Sequence, residues 1–341
     1  MESSENTVLL SQSSSSATGY SFSTGLLAIT LVATLSVIAG GALGALVYSR
    51  TSSPAPAPSP LPHGCPLQSL QDVPDFGKQM RACWFSHLQQ NWTFLNHGSY
   101  GAAPTAAIAG AARYRDRSQE NADVWFRMEM VPELVAARKE VAAYVGAGDF
   151  NTIVLVDDVT EGINSVLRSL SPPPPGTRVL RSSVAYLMVQ NTVDYLLGSE
   201  AWPGVLLDVA AIPWPLSDEE AQNILLAAIR DENAPVVSVL LLDHISSSPA
   251  IVFDVAELAR AALEMNSECV VLVDGAHAFG QIPLNLSELA ESGIAYYTGN
   301  GHKWLAAERG GAFLYAAPGR EIGMIKEEKW QGYINSVKGG Q

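Results

Sequence analysis

Residues 270–280 read VVLVDGAHAFG. An apolar, mostly β-branched run leads straight into Asp274 and Gly275, with His277 three residues past the aspartate. Such a run, bounded by glycine, reads as a buried strand. A carboxylate as its first polar residue is costly there without a partner. The same pattern recurs along the chain. TIVLV (152–156), RVLRSS (178–183), GVLLDVA (204–210) and VVSVLLLDHI (236–245) are further strand candidates. Between them lie segments of helical period: LVAARKEVAAYVG (134–146), TEGINSVLRSL (160–170), AYLMVQNTVDYLL (185–197), DEEAQNILLAAIRD (218–231) and DVAELARAALEMN (254–266). In the second of these, Ile163, Val166, Leu167 and Leu170 share one face, and Thr160 is its expected N-cap. Strands alternating with helices predict a parallel sheet covered on both faces. Ligands of such sheets bind outside the carboxyl ends of the strands. That directs attention to Asp157–Thr160, Asp243–Ser248 and Asp274–His277.

The 341 residues carry a formal net charge of −14, with 48% hydrophobic and 16% charged residues. This is ample for a core and opposes nucleic acid as a partner, since phosphates repel it and no basic run appears. The three cysteines, Cys65, Cys83 and Cys269, fit neither a zinc site nor a disulfide framework by spacing. Cys269 lies in an apolar run and reads as a small buried hydrophobe. No metal site, Walker A or GxGxxG pattern is present.

The N-terminal part follows different rules. Residues 1–24 are expected to be disordered. Residues 25–48 (GLLAITLVATLSVIAGGALGALVY) are long and apolar enough to cross a bilayer as a helix. Glu2 and Glu5 replace the basic start of a secretory signal, which favours an uncleaved single-pass anchor over a cleaved signal. Arg50 follows the span with no lysine or arginine before it, so the positive-inside tendency places the body in the cytosol, on the basis of one arginine that leaves the lumenal side open. Residues 49–70 form a Pro-rich spacer. Asn91-Trp92-Thr93 and Asn285-Leu286-Ser287 match the glycosylation sequon, a pattern frequent by chance.

Lys303 lies 29 residues past Asp274, in YYTGNGHKWL (296–305). An aspartate, a histidine and a lysine in this arrangement suit pyridoxal 5'-phosphate. The lysine amine takes the cofactor aldehyde as a Schiff base, and the aspartate pairs with the protonated pyridine nitrogen. Desolvation lowers a lysine pKa and makes the amine nucleophilic. The N-terminus of the helix starting near Thr160 offers donors for the phosphate, and His302 can add another.

LVDGAHAFGQIPLNL (272–286) followed by YYTGNGHKWL resembles the fold-type I, class V aminotransferases, in the isopenicillin N epimerase-like branch. FLNHGSYGAAP (94–104), VTEGINSVLRSL (159–170) and LLDHISSSPAIVF (241–253) resemble three further segments of that branch, in family order. The resemblance spans residues 76–316. It implies a mostly parallel sheet flanked by helices over 71–320, and commonly a homodimer; the apolar run 25–48 puts a transmembrane helix before it. It also implies an enzyme acting on an amino acid by transamination, epimerisation or lyase chemistry. Lys303 would be the Schiff-base lysine and the acid or base at the α-carbon. Asp274 would meet the pyridine nitrogen, and His277 would lie near the phenolic oxygen. Thr160, with the backbone of Val159 and Glu161, would hold the phosphate, helped by His302. Tyr186 would stack on the ring, though it equally reads as a core aromatic. His244 and Ser247 would border the ring, and Asn96 and His97 the substrate.

Two features depart from the family. Asp158 and Glu161 put carboxylates near the phosphate helix. Residues 321–341 read as only the start of the family's smaller C-terminal domain, which carries the arginine for the substrate carboxylate. The rival functions are therefore a non-catalytic, membrane-tethered module of the same fold and a cysteine desulfurase or lyase.

Overall fold

The computed structural model describes residues 77–319 apart from residue 90. The expected disordered start (1–24), anchor (25–48), spacer (49–70) and truncated region (321–341) lie outside the described residues. Among the described residues no helix is long and apolar enough to cross a membrane.

Seven strands form one sheet: β1 (Ile153–Val156), β2 (Arg178–Ser182), β3 (Leu206–Ala210), β4 (Val237–Asp243), β5 (Val270–Asp274), β6 (Ile294–Asn300) and β7 (Ala312–Ala316), in the order β1-β7-β6-β5-β4-β2-β3. The five strands from β3 to β6 run parallel, while β7 is antiparallel to both β6 and β1. The carboxyl ends of β1, β4, β5 and β6 therefore share one edge. The strand runs read from the sequence all form strands. β6 and β7 are additions, and β6 is buried along its whole length.

The helices are α1 (Lys78–Trp84), α2 (His97–Tyr100), α3 (Thr105–Glu120), α4 (Met130–Tyr144), α5 (Val159–Leu167), α6 (Leu187–Gly198), α7 (Asp218–Ile229), α8 (Val255–Met265) and α9 (Leu286–Glu291). A π-helical turn, Trp125–Glu129, leads into α4. Each face of the sheet carries its own apolar cluster. One gathers Leu225, Leu240, Leu258, Val271 and Phe313 under α7 and α8. The other gathers Ile163, Leu167, Val193, Trp202, Val239 and Tyr296 under α5 and α6. The buried residues of α5 include Val159, Ile163, Val166 and Leu167, three of them at the expected i, i+3, i+4 spacing. Gly162 is what lets this helix close on β6, since a Cβ there would come within 2.6 Å of the Thr298 hydroxyl.

Two local expectations are corrected. The N-cap of α5 is Asp158, not Thr160: the Asp158 carboxylate accepts the Glu161 N–H at 2.8 Å. Both residue types cap helices, and the start moves back because Asn300 Oδ1 accepts the Val159 N–H at 3.0 Å. The cysteines also behave differently from the spacing argument. Cys83 is in a disulfide whose partner lies outside the described residues, while Cys269 is fully buried.

Candidate cofactor site

Strands β4, β5 and β6 deliver their polar ends to one place. Asp274 ends β5 and is buried; one of its oxygens accepts the Ala276 N–H at 2.9 Å. Past β6 the chain turns, and Lys303 comes back buried, with Nζ 2.9 Å from His277 Nε2. Burial lowers the Lys303 pKa, and the Asp274 charge partly restores it. Burial, then the lysine charge, brings His277 down to about 4. The imidazole is therefore neutral near pH 7, and the ammonium donates to it. Burial raises Asp274, against the Ala276 hydrogen bond and the Lys303 charge.

The segment before α3 closes over this group. Gly98 packs on the rings of His277 and Trp304. His97 lies 6.0 Å from the Trp304 ring and 5.0 Å from Phe94. Gly101, at φ +65°, sits so close that a Cβ would lie 1.6 Å from the His302 carbonyl oxygen. Asn96, expected at the substrate, is exposed and caps α2 through the Ser99 N–H at 3.2 Å.

The phosphate end differs from expectation in detail. The Val159 N–H belongs to Asn300 and the Glu161 N–H to Asp158, so neither backbone donor is free for a phosphate. The Glu161 carboxylate accepts the Asp157 N–H at 2.7 Å. The two unexpected acids thus cap the helix start. Thr160 keeps a first-turn N–H with no acceptor among the described residues. His302, close enough to feel the Asp158 charge, holds Nδ1 buried with no hydrogen-bond partner. Of the expected phosphate groups, these two are the ones left without a partner among the described residues.

The other candidates divide. Tyr186 stands at the N-cap of α6, 45% exposed, so the core-aromatic reading fails. Ser247 is exposed, and the buried hydroxyl is its neighbour Ser246, which donates to the Pro249 carbonyl at 2.6 Å. His244 is buried, with Nδ1 2.9 Å from the Tyr297 hydroxyl. Burial takes it down to about 4, which makes it a satisfied core histidine. Asn300 was missed because GN before GHK reads as a turn and not as a strand end. Among the described residues no His, Cys, Asp and Glu cluster could hold a metal ion.

Asp243 was underrated as well. It pairs in register with Asp274 across β4 and β5 and is equally buried, 3.5 Å from the Ser182 hydroxyl. Both carboxylates line a small cavity walled by Ile163, Ala185 and Val189. Burial, then the Asp274 charge, pushes Asp243 well above the usual carboxylate range. A raised folded-state pKa gives stability that is full below the unfolded pKa and lost as pH rises through the folded one. Asp243→Asn should therefore raise the cofactor-free melting temperature at pH 7. The gain should shrink toward about pH 4, where the unfolded acid is half protonated. Melting curves across that range check it.

These groups fit pyridoxal phosphate. Among the described residues, Lys303 is a desolvated amine, Asp274 a buried carboxylate without an ion pair, and His302 Nδ1 a buried atom without a hydrogen-bond partner, close enough to feel the charge of the Asp158 helix cap. Sequence and structure comparisons agree. An L-cysteine desulfhydrase of Arabidopsis thaliana is 25% identical over 243 residues, covering 68% of this chain and 51% of the relative. An isopenicillin N epimerase of Streptomyces clavuligerus is 30% identical over 227 residues, covering 66% and 54%. The chain thus spans about half the length of these curated relatives. A solved C-DES mutant with glycine covalently linked to its PLP cofactor aligns with a TM-score of 0.61 and 26% identity, covering 72% of this chain and 61% of that one. The family profile described as aminotransferase class-V matches residues 112–319. The chain belongs to the aminotransferase class-V family, whose cofactor is pyridoxal 5'-phosphate.

Proposed function

We propose that this chain is a membrane-tethered, pyridoxal-phosphate-dependent enzyme acting on an amino acid by lyase, epimerase or transaminase chemistry. The observation that carries the reading is the buried Lys303 amine, 2.9 Å from a neutral His277 and facing Asp274. When bound, the cofactor supplies an electron sink for the α-carbon. Lys303 would hold it covalently, and its Nζ would take or return the α-proton. His277 orients that amine. Asp274 would keep the pyridine nitrogen protonated, Thr160 and His302 would hold the phosphate, and Tyr186 would cover the ring. His97 borders the substrate. Residues 25–48 form the tether.

The relatives named as desulfhydrase and epimerase favour chemistry that starts at the α-carbon of an amino acid. A desulfurase route through a persulfide-bearing cysteine has less support. Cys269 is fully buried just before β5, at the far end of that strand from Asp274. The chain is proposed to act as a homodimer, to which exposed Leu95, Tyr100, Phe126 and Leu134 offer apolar surface.

The test is spectroscopic. Full-length protein with added pyridoxal phosphate should develop a visible absorption band that borohydride bleaches. Individual amino acids should then shift that band, L-cysteine among them. A band that no amino acid shifts would favour the non-catalytic, tethered module. No band at all would overturn the cofactor reading for this chain.

A further inference from the structure

We propose that Asn91 is an N-glycosylation site, so that the body of this chain folds on the lumenal side of a secretory membrane. Three observations converge on one short segment. First, the sequon Asn91-Trp92-Thr93 lies at the surface. Asn91 and Thr93 are exposed, Trp92 is 65% exposed, and neither polar side chain makes a hydrogen bond among the described residues. Second, the segment is a held turn. The Trp92 N–H donates to the Gln89 carbonyl at 3.1 Å, and Arg81 Nη2 donates to the carbonyls of Gln89 and Trp92 at 2.9 and 2.7 Å. The arginine ties the turn to α1 through its backbone, so the Asn91 amide stays outward. Third, α1 also carries Cys83, which is in a disulfide. Disulfides persist in oxidising compartments and are rare in the cytosol.

The second sequon sharpens the inference. Asn285 is also exposed, but its side chain is in use as the N-cap of α9. Oδ1 accepts the Glu288 N–H at 3.3 Å, and Nδ2 donates to the Glu288 carboxylate at 2.6 Å. Gly146 lies against it, where even a Cβ would come within 2.9 Å of the Asn285 Cα. A sugar on that nitrogen would displace the cap and meet the Gly146 backbone. The structure thus tolerates a glycan at one sequon and opposes it at the other.

The chemistry needs only a donor of known class, a lipid-pyrophosphate-linked oligosaccharide. A bond forms between Asn91 Nδ2 and C1 of the first sugar, and the C1–oxygen bond to the pyrophosphate breaks. The amide proton is lost as the lipid pyrophosphate leaves. The apolar segment 25–48 is long enough to deliver the chain to the membrane. The lone Arg50 is a weak topological signal beside a disulfide and an open sequon.

The full chain, with its own N-terminus, should be expressed in cells with a secretory pathway and compared by gel mobility before and after endoglycosidase. The expected result is a shift of one glycan, lost in Asn91→Gln and Thr93→Ala, kept in Thr93→Ser and unchanged in Asn285→Gln. Maleimide labelling of the denatured protein should spare Cys83 before reduction and mark it after reduction. The Thr93→Ser arm guards against a variant that fails to fold. No shift in the wild type, a shift that survives Asn91→Gln, or free Cys83 in the unreduced protein would overturn the proposal. None of these outcomes depends on cofactor binding, so they are separable from the test of the proposed function.

Discussion

Lys303→Ala is expected to fold normally and to lose every covalent trace of pyridoxal phosphate. The folding half follows from the environment of the amine. Among the described residues Lys303 forms no ion pair; its hydrogen bond is to a neutral imidazole, and burial has already lowered its pKa. Removing a desolvated amine of this kind relieves a burial cost instead of leaving a charge unpaired. The chemical half follows from the alternatives. Among the described residues the other lysines, Lys78 and Lys139, are exposed. They lack the desolvation that makes an amine nucleophilic at neutral pH. The visible band should be absent, and peptide mapping after borohydride should find no pyridoxyl adduct. Turnover of any responsive amino acid should fall by at least about 10²–10⁴-fold, the usual worth of a positioned acid or base. A wild-type adduct that maps to a lysine other than Lys303 would remove the catalytic assignment.

Gly101→Ala should be the most damaging small substitution in the site. Two penalties combine at this position. The backbone at φ +65° and ψ 175° lies in a region essentially reserved for glycine and costs an L-residue about 1–3 kcal/mol. The new methyl would lie 1.6 Å from the His302 carbonyl oxygen, a backbone atom that no rotamer change can move. Overpacking of this kind costs about 1–3 kcal/mol, and a backbone clash belongs at the upper end. In a body of this size about 1 kcal/mol shifts the melting temperature by about 2–4 °C, so a drop of roughly 5–15 °C is expected. Relief requires the 94–104 segment to lift away from His302 and Lys303, so cofactor affinity should fall as well. Gly176→Ala is the control. Its φ is +82° but no atom lies within 4 Å of a Cβ there, so only the backbone penalty applies. Calorimetry and cofactor titration of the two variants separate clash from strain. Equal losses in both would show that the close approach at Gly101 is unimportant.

The strands of the central sheet were legible because each is a short apolar run that stops at a polar residue or glycine, and periodicity reads directly from such runs. β6 was not, because Tyr-Tyr-Thr-Gly-Asn mixes aromatic, polar and turn-forming residues. It is a strand only because β5 and β7 pair with it on both sides and the Tyr296 and Tyr297 rings are buried. At the site, Asp274, His277 and Lys303 were legible from type and spacing. The donors at the start of α5 were not. Which N–H groups stay free there depends on Asn300, a residue 141 positions from Val159.

By itself, then, the sequence determined the alternation of strands and helices, the polar strand ends and the identity of the lysine, because these depend on residues near one another along the chain. Only the tertiary structure decided that His277 meets the lysine amine and that Asp243 stands beside Asp274. It also decided that the Val159 and Glu161 N–H groups are already taken while His302 Nδ1 is left unpartnered, and that one of two sequons stands open. Each of these is a question of which polar group is already satisfied. That is settled by partners brought together across the sheet, over distances that local spacing does not encode.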